Sequence, residues 1–124
     1  MIATCIRALP DEGCGLLLGT TDGDVAVVSE VVPSANVAHS AKVYEIDSRI
    51  LLKTYRRADD EGIEVLGVFH SHTHSAAYPS PTDIAQAPDP QWHYVLVSLR
   101  DLATVVKSYS IVDGAVSEET VLGH

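Results

Sequence analysis

Three residues of the 124-residue chain stand out for their chemistry: His70, His72 and, eleven positions later, Asp83. Residues two apart on a β-strand point to the same side, so strand geometry running through His72 aims both imidazoles at one point. Imidazole nitrogens suit zinc, and two of them make half of a tetrahedral site. A third ligand is needed, and Asp83 is a candidate. It follows Ser80-Pro81-Thr82, where Ser80 reads as a helix N-cap and Pro81 as the first helical residue, so Asp83 falls in the first turn of a short helix. Two histidines and one carboxylate leave a fourth position open, which is the pattern of a catalytic zinc site and not of a closed structural one. Zinc brings the pKa of a bound water towards neutrality. Cleaving an amide then needs a base that takes the proton and delivers it to the leaving amine. No glutamate lies near His70 or His72 in the spacing that zinc peptidases with a one-helix motif use, so the base comes from elsewhere in the fold. Glu12 is a candidate, placed just before an apolar run and beside Gly13 and Gly15.

The elements that position these residues follow from the hydrophobic pattern. Ile2, Cys5, Ile6 and Leu9 repeat at helical spacing and mark one face of a short helix that Pro10 closes. Cys14–Gly19 and Val25–Val32 flank Thr21-Asp22-Gly23 and read as a hairpin. Pro33–Ser40 reads as a loop and Val43–Ile46 as a short strand. Asp47 or Ser48 caps a second helix with a stripe of Leu51, Leu52, Tyr55 and Ala58, stopped by Gly62. Glu64–His70 is a nearly continuous apolar strand, of the kind covered on both faces. His74–Pro79 is a loop, Pro88 and Pro90 end the short helix, and Tyr94–Leu99 is a buried strand. Val105–Val112 and Ala115–Val121 form a second hairpin about Asp113-Gly114. The sum is one continuous mixed α/β domain over residues 1–124, with six to eight strands, two longer helices and one short one.

Composition narrows the function classes. A hydrophobic fraction of 46% excludes a disordered chain. Eight basic against 17 acidic residues give a net charge of −9, which argues against nucleic acid and anionic membranes as partners. No apolar run reaches membrane-spanning length and no signal-peptide pattern follows Met1, so a cytoplasmic protein is expected. Cys5 and Cys14 are too few for a disulfide framework and read as small core residues. A thiol nucleophile at Cys14 is disfavoured, because no cysteine-peptidase signature accompanies it.

The spacing His70-Ser-His72, seven residues, Ser80, two residues, Asp83, with Glu12 upstream in Pro-Asp-Glu-Gly-Cys-Gly-Leu-Leu, resembles the JAMM motif of MPN-domain zinc metallopeptidases, the Mov34/MPN/PAD-1 family. The closer resemblance is to the small bacterial type that processes sulfur-carrier proteins, the CysO-cysteine peptidase (Mec) type. It rests on Phe69-His-Ser-His-Thr, Tyr78-Pro-Ser-Pro-Thr-Asp83, His93-Tyr-Val-Leu-Val-Ser98 and the run Ser108–Glu119, and it covers nearly the whole chain. The resemblance implies an MPN (cytidine-deaminase-like) α/β fold, a mixed sheet or partial barrel flanked by helices. It implies His70, His72 and Asp83 as ligands of one Zn2+, Glu12 as general acid/base, and Ser80 as hydrogen-bond donor to the oxyanion. The implied substrate is the amide bond after the C-terminal diglycine of a small ubiquitin-like sulfur-carrier protein, with cysteine as product. Two other readings stay open: an isopeptidase removing ubiquitin-like modifiers from lysines, and a non-catalytic MPN scaffold, which the intact ligand set argues against. A homodimer is neither required nor excluded.

The remaining candidates have plainer readings. His74 is expected to be a loop histidine near the cleft, since a fourth protein ligand would close the site. His39 and His93 are expected to be structural or at the surface, and His124 to lie in a frayed terminus. Tyr44 and Tyr78 fit a substrate groove or ordinary packing equally well. The first helix is shorter than the family's, and the spacings leave little room for the inserted loops with which deubiquitinases grip ubiquitin.

Overall fold

A computed structural model describes residues 1–122; the expectation for His124 lies outside them. The elements in chain order are α1 (Ile2–Ala8), β1 (Cys14–Asp22), β2 (Val25–Ser34), α2 (Ser48–Glu61), β3 (Glu64–His72), α3 (Pro81–Ala85), β4 (His93–Ser98), β5 (Val105–Val112) and β6 (Ala115–Glu119). The strands form one six-stranded sheet in the order β2-β1-β3-β4-β5-β6. Only β3 and β4 run parallel, because the crossover through α3 returns the chain to its starting side. The other neighbours are antiparallel. The sheet stays open, with β2 and β6 as its edges. This is the expected mixed sheet flanked by helices, and it does not close into a barrel.

Apolar residues cover both sides of the central strands. Leu17, Phe69, Val95 and Val97 pack with Cys5 of α1. Leu16, Val68, Trp92, Tyr94 and Ile111 pack with Ile50 and Leu51 of α2 and with Tyr44 and Ile46 of the preceding loop. His70 and His72 continue the face of Val68 by the period of two. Both expected hairpins form, and the Asp113-Gly114 turn has both residues at positive φ (50° and 80°), the geometry for which this dipeptide is favoured. Asp47 caps α2 by accepting Arg49 N–H at 2.9 Å, and Gly62 ends it in the left-handed conformation.

Three local expectations are corrected. The stripe of α1 does not face the core: only Cys5 is buried, while Ile2, Ile6 and Leu9 are 41%, 53% and 47% exposed. Cys5 is buried because Gly13 lies against it, where a Cβ would stand 2.6 Å from the Cys5 Cα. Val43–Ile46 forms no strand, only a bridge from Asn36 to Ile46. The Asn36 side chain takes the backbone groups instead, donating to the carbonyls of Glu12, Ser40 and Val43 and accepting from the N–H of Ala38 and Glu45. On α2 the inward residues are Ile50, Leu51, Thr54 and Ala58, with Leu52 and Tyr55 exposed. The face is turned by about one residue, and Thr54 is accommodated by donating its hydroxyl to the Ile50 carbonyl. Among the described residues no helix is long and apolar enough to cross a membrane.

Candidate metal centre

His70 and His72 occupy the end of β3, and Asp83 reaches them from the first turn of α3. Asp83 Oδ2 lies 3.1 Å from His70 Nε2 and 3.0 Å from His72 Nε2, and the two nitrogens are 3.3 Å apart. All three residues are buried. The short helix aims the carboxylate through a capping box. Ser80 Oγ accepts the Asp83 N–H at 3.1 Å, and Asp83 Oδ2 accepts the Ser80 N–H at 2.9 Å.

The hydrogen-bond chemistry of this cluster calls for a positive charge at its centre. His72 Nδ1 faces the carbonyl of Ala76 at 2.9 Å. A carbonyl only accepts, so Nδ1 carries the proton, and Nε2 of the neutral ring then presents a bare lone pair to a carboxylate oxygen. Such a meeting is satisfied by a proton on Nε2 or by a cation among the three atoms. In the bare protein the carboxyl of Asp83 is held well below the usual carboxylate range. Burial opposes this, but the hydrogen bonds with His70 and His72 outweigh it. Burial also pulls at the imidazoles. It wins at His70, whose pKa is lowered, and loses at His72, which Asp83 and the Ala76 carbonyl raise. Two imidazoles and one carboxylate, their ligand atoms all within 4.8 Å of one another, are a donor set that fits a divalent transition ion.

Glu12 is 2% exposed and its Oε1 has no hydrogen-bond partner. Burial, with Asp83 adding repulsion and His72 opposing it, pushes its carboxyl up to about 8. A buried carboxyl shifted in this direction is the kind that proton-transfer sites use. Its backbone is pinned on both sides. Its N–H donates to the Ser40 carbonyl and its carbonyl accepts from Asn36. The next residue, Gly13, exchanges hydrogen bonds with Ser71, which lies between the two histidines: Gly13 N–H to Ser71 Oγ at 2.8 Å and Ser71 N–H to the Gly13 carbonyl at 3.0 Å. Ser80 Oγ accepts from Asp83, and its own hydrogen has no acceptor among the described residues.

The structure therefore gathers His70, His72 and Asp83, with Glu12 buried beside them and Ser80 at their rim. His74 is exposed on the following loop and outside the cluster. His93 pairs with Glu119 at 2.9 Å on the far side of the sheet, and His39 lies exposed at positive φ. Tyr78 is exposed and meets the edge of Tyr109, whereas Tyr44 stacks on His70. Sequence reasoning missed Asn36 and Ser71 as supports of Glu12. A lone asparagine in a loop and a serine between two histidines carry no spacing signal that distinguishes them from surface residues.

Known proteins resemble this chain in sequence and in fold. The chain is 43% identical over 122 residues to the CysO-cysteine peptidase of Mycobacterium tuberculosis, covering 98% of this chain and 82% of that one. It is 37% identical over 86 residues to a probable TtuB-protein conjugate cleaving protease of Thermus thermophilus, covering 68% and 55%. Among solved structures, protein DSY2949 of Desulfitobacterium hafniense superposes with a TM-score of 0.90 at 37% identity, over 98% of this chain and 84% of that one. AF2198 of Archaeoglobus fulgidus, a JAB1/MPN domain protein, superposes with a TM-score of 0.57 at 23% identity, over 98% and 86%, and so shares the fold. The family model for prokaryotic homologs of the JAB domain matches residues 1–112, and this chain belongs to that family.

Proposed function

We propose that the chain is a zinc-dependent peptidase that hydrolyses the amide bond after the C-terminal diglycine of a ubiquitin-like sulfur-carrier protein and releases cysteine. The observation that carries this reading is the meeting of His70 Nε2, His72 Nε2 and Asp83 Oδ2 beside a buried, unpartnered Glu12. The 43% identity to a CysO-cysteine peptidase supports the substrate. His70, His72 and Asp83 hold the ion. When bound, a divalent ion there supplies Lewis acidity, polarising the scissile carbonyl and making water a nucleophile near neutral pH.

The chain's own groups do the rest. Glu12 takes the proton from the attacking water and returns it to the departing amide nitrogen, so the cysteine leaves as a neutral amine. Ser80 turns its free hydroxyl hydrogen to the carbonyl oxygen as charge grows there, a donor fixed in advance because its oxygen is held by the Asp83 N–H. Tyr44 keeps the His70 ring in plane. An extended tail adding to a strand edge beside the site draws affinity from main-chain hydrogen bonds, and glycines pass where a side chain would not.

The test is mass spectrometry of a carrier–cysteine adduct incubated with the protein, with and without a chelator. Chelator-sensitive release of cysteine and of carrier ending in diglycine is expected. An intact adduct in zinc-loaded protein overturns the reading. An isopeptidase acting on lysine-linked conjugates is a second reading, favoured by the likeness to a conjugate cleaving protease. A carrier–lysine adduct run in parallel decides between them.

A further inference from the structure

Three consecutive carbonyls of the loop between β3 and α3 are each taken by a side chain from a different strand. Ser98 on β4 donates its hydroxyl to the Ser75 carbonyl at 2.7 Å. His72 on β3 donates Nδ1–H to the Ala76 carbonyl at 2.9 Å. Tyr109 on β5 donates its phenol hydrogen to the Ala77 carbonyl. The loop itself is exposed at residues 74–76, whereas Ser98 and Tyr109 are 4% and 2% exposed. The three donors thus tie a solvent-facing segment to buried residues of three strands.

We propose that Ser98 and Tyr109 are positioning residues for the metal ion. They clamp the peptide units before and after the one that bears the Ala76 carbonyl, and that carbonyl fixes the proton of His72 on Nδ1 and so keeps Nε2 free and aimed at Asp83. The Ala76 carbonyl also accepts the Tyr78 N–H at 2.8 Å, so loosening either clamp shifts this tight turn as a unit, and the His72 ring loses both its tautomer preference and its direction. The inference rests on the metal reading above, but it assigns a role to two side chains outside the donor set, both on strands that contribute no ligand.

The test uses Ser98→Ala, Tyr109→Phe and the double variant of the full chain, with zinc affinity measured by chelator competition and Co2+ absorption reporting ligand geometry. The His72 tautomer is read by nitrogen NMR of the ring in metal-free protein, at a pH high enough for the ring to be neutral. Ser108→Ala, which removes another buried hydroxyl bond on β5, to Glu119, is the control for a merely structural loss. Each single variant is expected to weaken zinc binding about threefold to tenfold and the double variant about tenfold to a hundredfold. The Nδ1–H tautomer population should fall in the same order. Ser98→Thr, which keeps the hydroxyl, should restore affinity, and Ser108→Ala should leave it unchanged. Should the double variant not fold, the single variants decide. Variants that unfold more easily yet bind zinc as tightly as the parent, with an unaltered tautomer, overturn the inference. A parent protein that binds neither ion overturns the metal reading instead, and this inference with it.

Discussion

The ring of Tyr44 lies flat on that of His70, with centroids 4.1 Å apart and planes 18° from parallel. His70 Nδ1 has no hydrogen-bond partner, so, unlike His72, this ring is oriented by packing and not by an acceptor on its far nitrogen. Stacking of this kind adds about 0.5–1.5 kcal/mol beyond area burial. Tyr44→Phe keeps the face and should leave zinc affinity within about threefold of the parent. Tyr44→Ala frees the ring and should weaken it by about tenfold or more. Isothermal titration of both variants checks this, and equal affinities would show that His70 is held by something else.

Asp83 has two roles that substitution can separate. Its Oδ2 meets both histidines and also accepts the Ser80 N–H. Asp83→Asn keeps a cap acceptor but loses the charge, and Asp83→Ala loses both. Both should abolish zinc binding, while only the alanine should lose about a further 1 kcal/mol of unfolding free energy from the broken cap. Ser80→Ala should keep the ion and lower kcat by about 10–10³-fold. Metal content, denaturant unfolding and turnover, measured on the same preparations, separate the three effects.

The metal cluster was legible because its parts lie in regular elements. A period of two on a strand and a proline-led first turn fix where His70, His72 and Asp83 point before any tertiary contact is known. Glu12 was legible only through the resemblance, since nothing local distinguishes it from a solvated loop carboxylate. Its backbone is held by Asn36 and Ser40, and that of Gly13 by Ser71, residues 24, 28 and 59 positions from Glu12. The α1 stripe misled for a related reason. Helical periodicity shows that one face is apolar, not that a partner exists to cover it, and here the core buries only Cys5 of that face. The segment Val43–Ile46 looks β-like in composition, but the Asn36 amide satisfies its backbone and no ladder is needed.

Cys14 stands opposite His70 in the sheet register, next to the site, and yet is unfit as a nucleophile. Burial, with smaller contributions from Cys5 and Glu12, pushes its thiol up to about 12, and both cysteines are 0% exposed. At pH 8 only about one Cys14 thiol in 10⁴ is ionised. Iodoacetamide should therefore leave both thiols unmodified in the native protein and alkylate both in guanidinium. Cys14→Ala should keep catalysis at a stability cost of about 1–2 kcal/mol. Loss of turnover in a folded, zinc-loaded Cys14→Ala protein would give the thiol a chemical part.

Glu12 yields a prediction for the metal-free protein. Its carboxyl is pushed up to about 8 when folded, against an ordinary value of 4.5. Between those two values the native state binds a proton that the unfolded chain has released, so stability falls as pH rises. Below 4.5 both states are protonated and there is no loss; above 8 both are ionised and the loss is complete. The slope contributed by this one group is at most about 1.4 kcal/mol per pH unit. Glu12→Gln keeps the shape and removes the titration, so the chelated variant should show a flatter stability curve from pH 5 to 9 and exceed the parent most above pH 8. With zinc restored, the same variant should retain the ion and lose about 10²–10⁴-fold in kcat. Urea unfolding across that pH range gives the first result and turnover the second. A variant with an unflattened curve would place the Glu12 carboxyl in solvent, and full turnover would move the proton-transfer role to another residue.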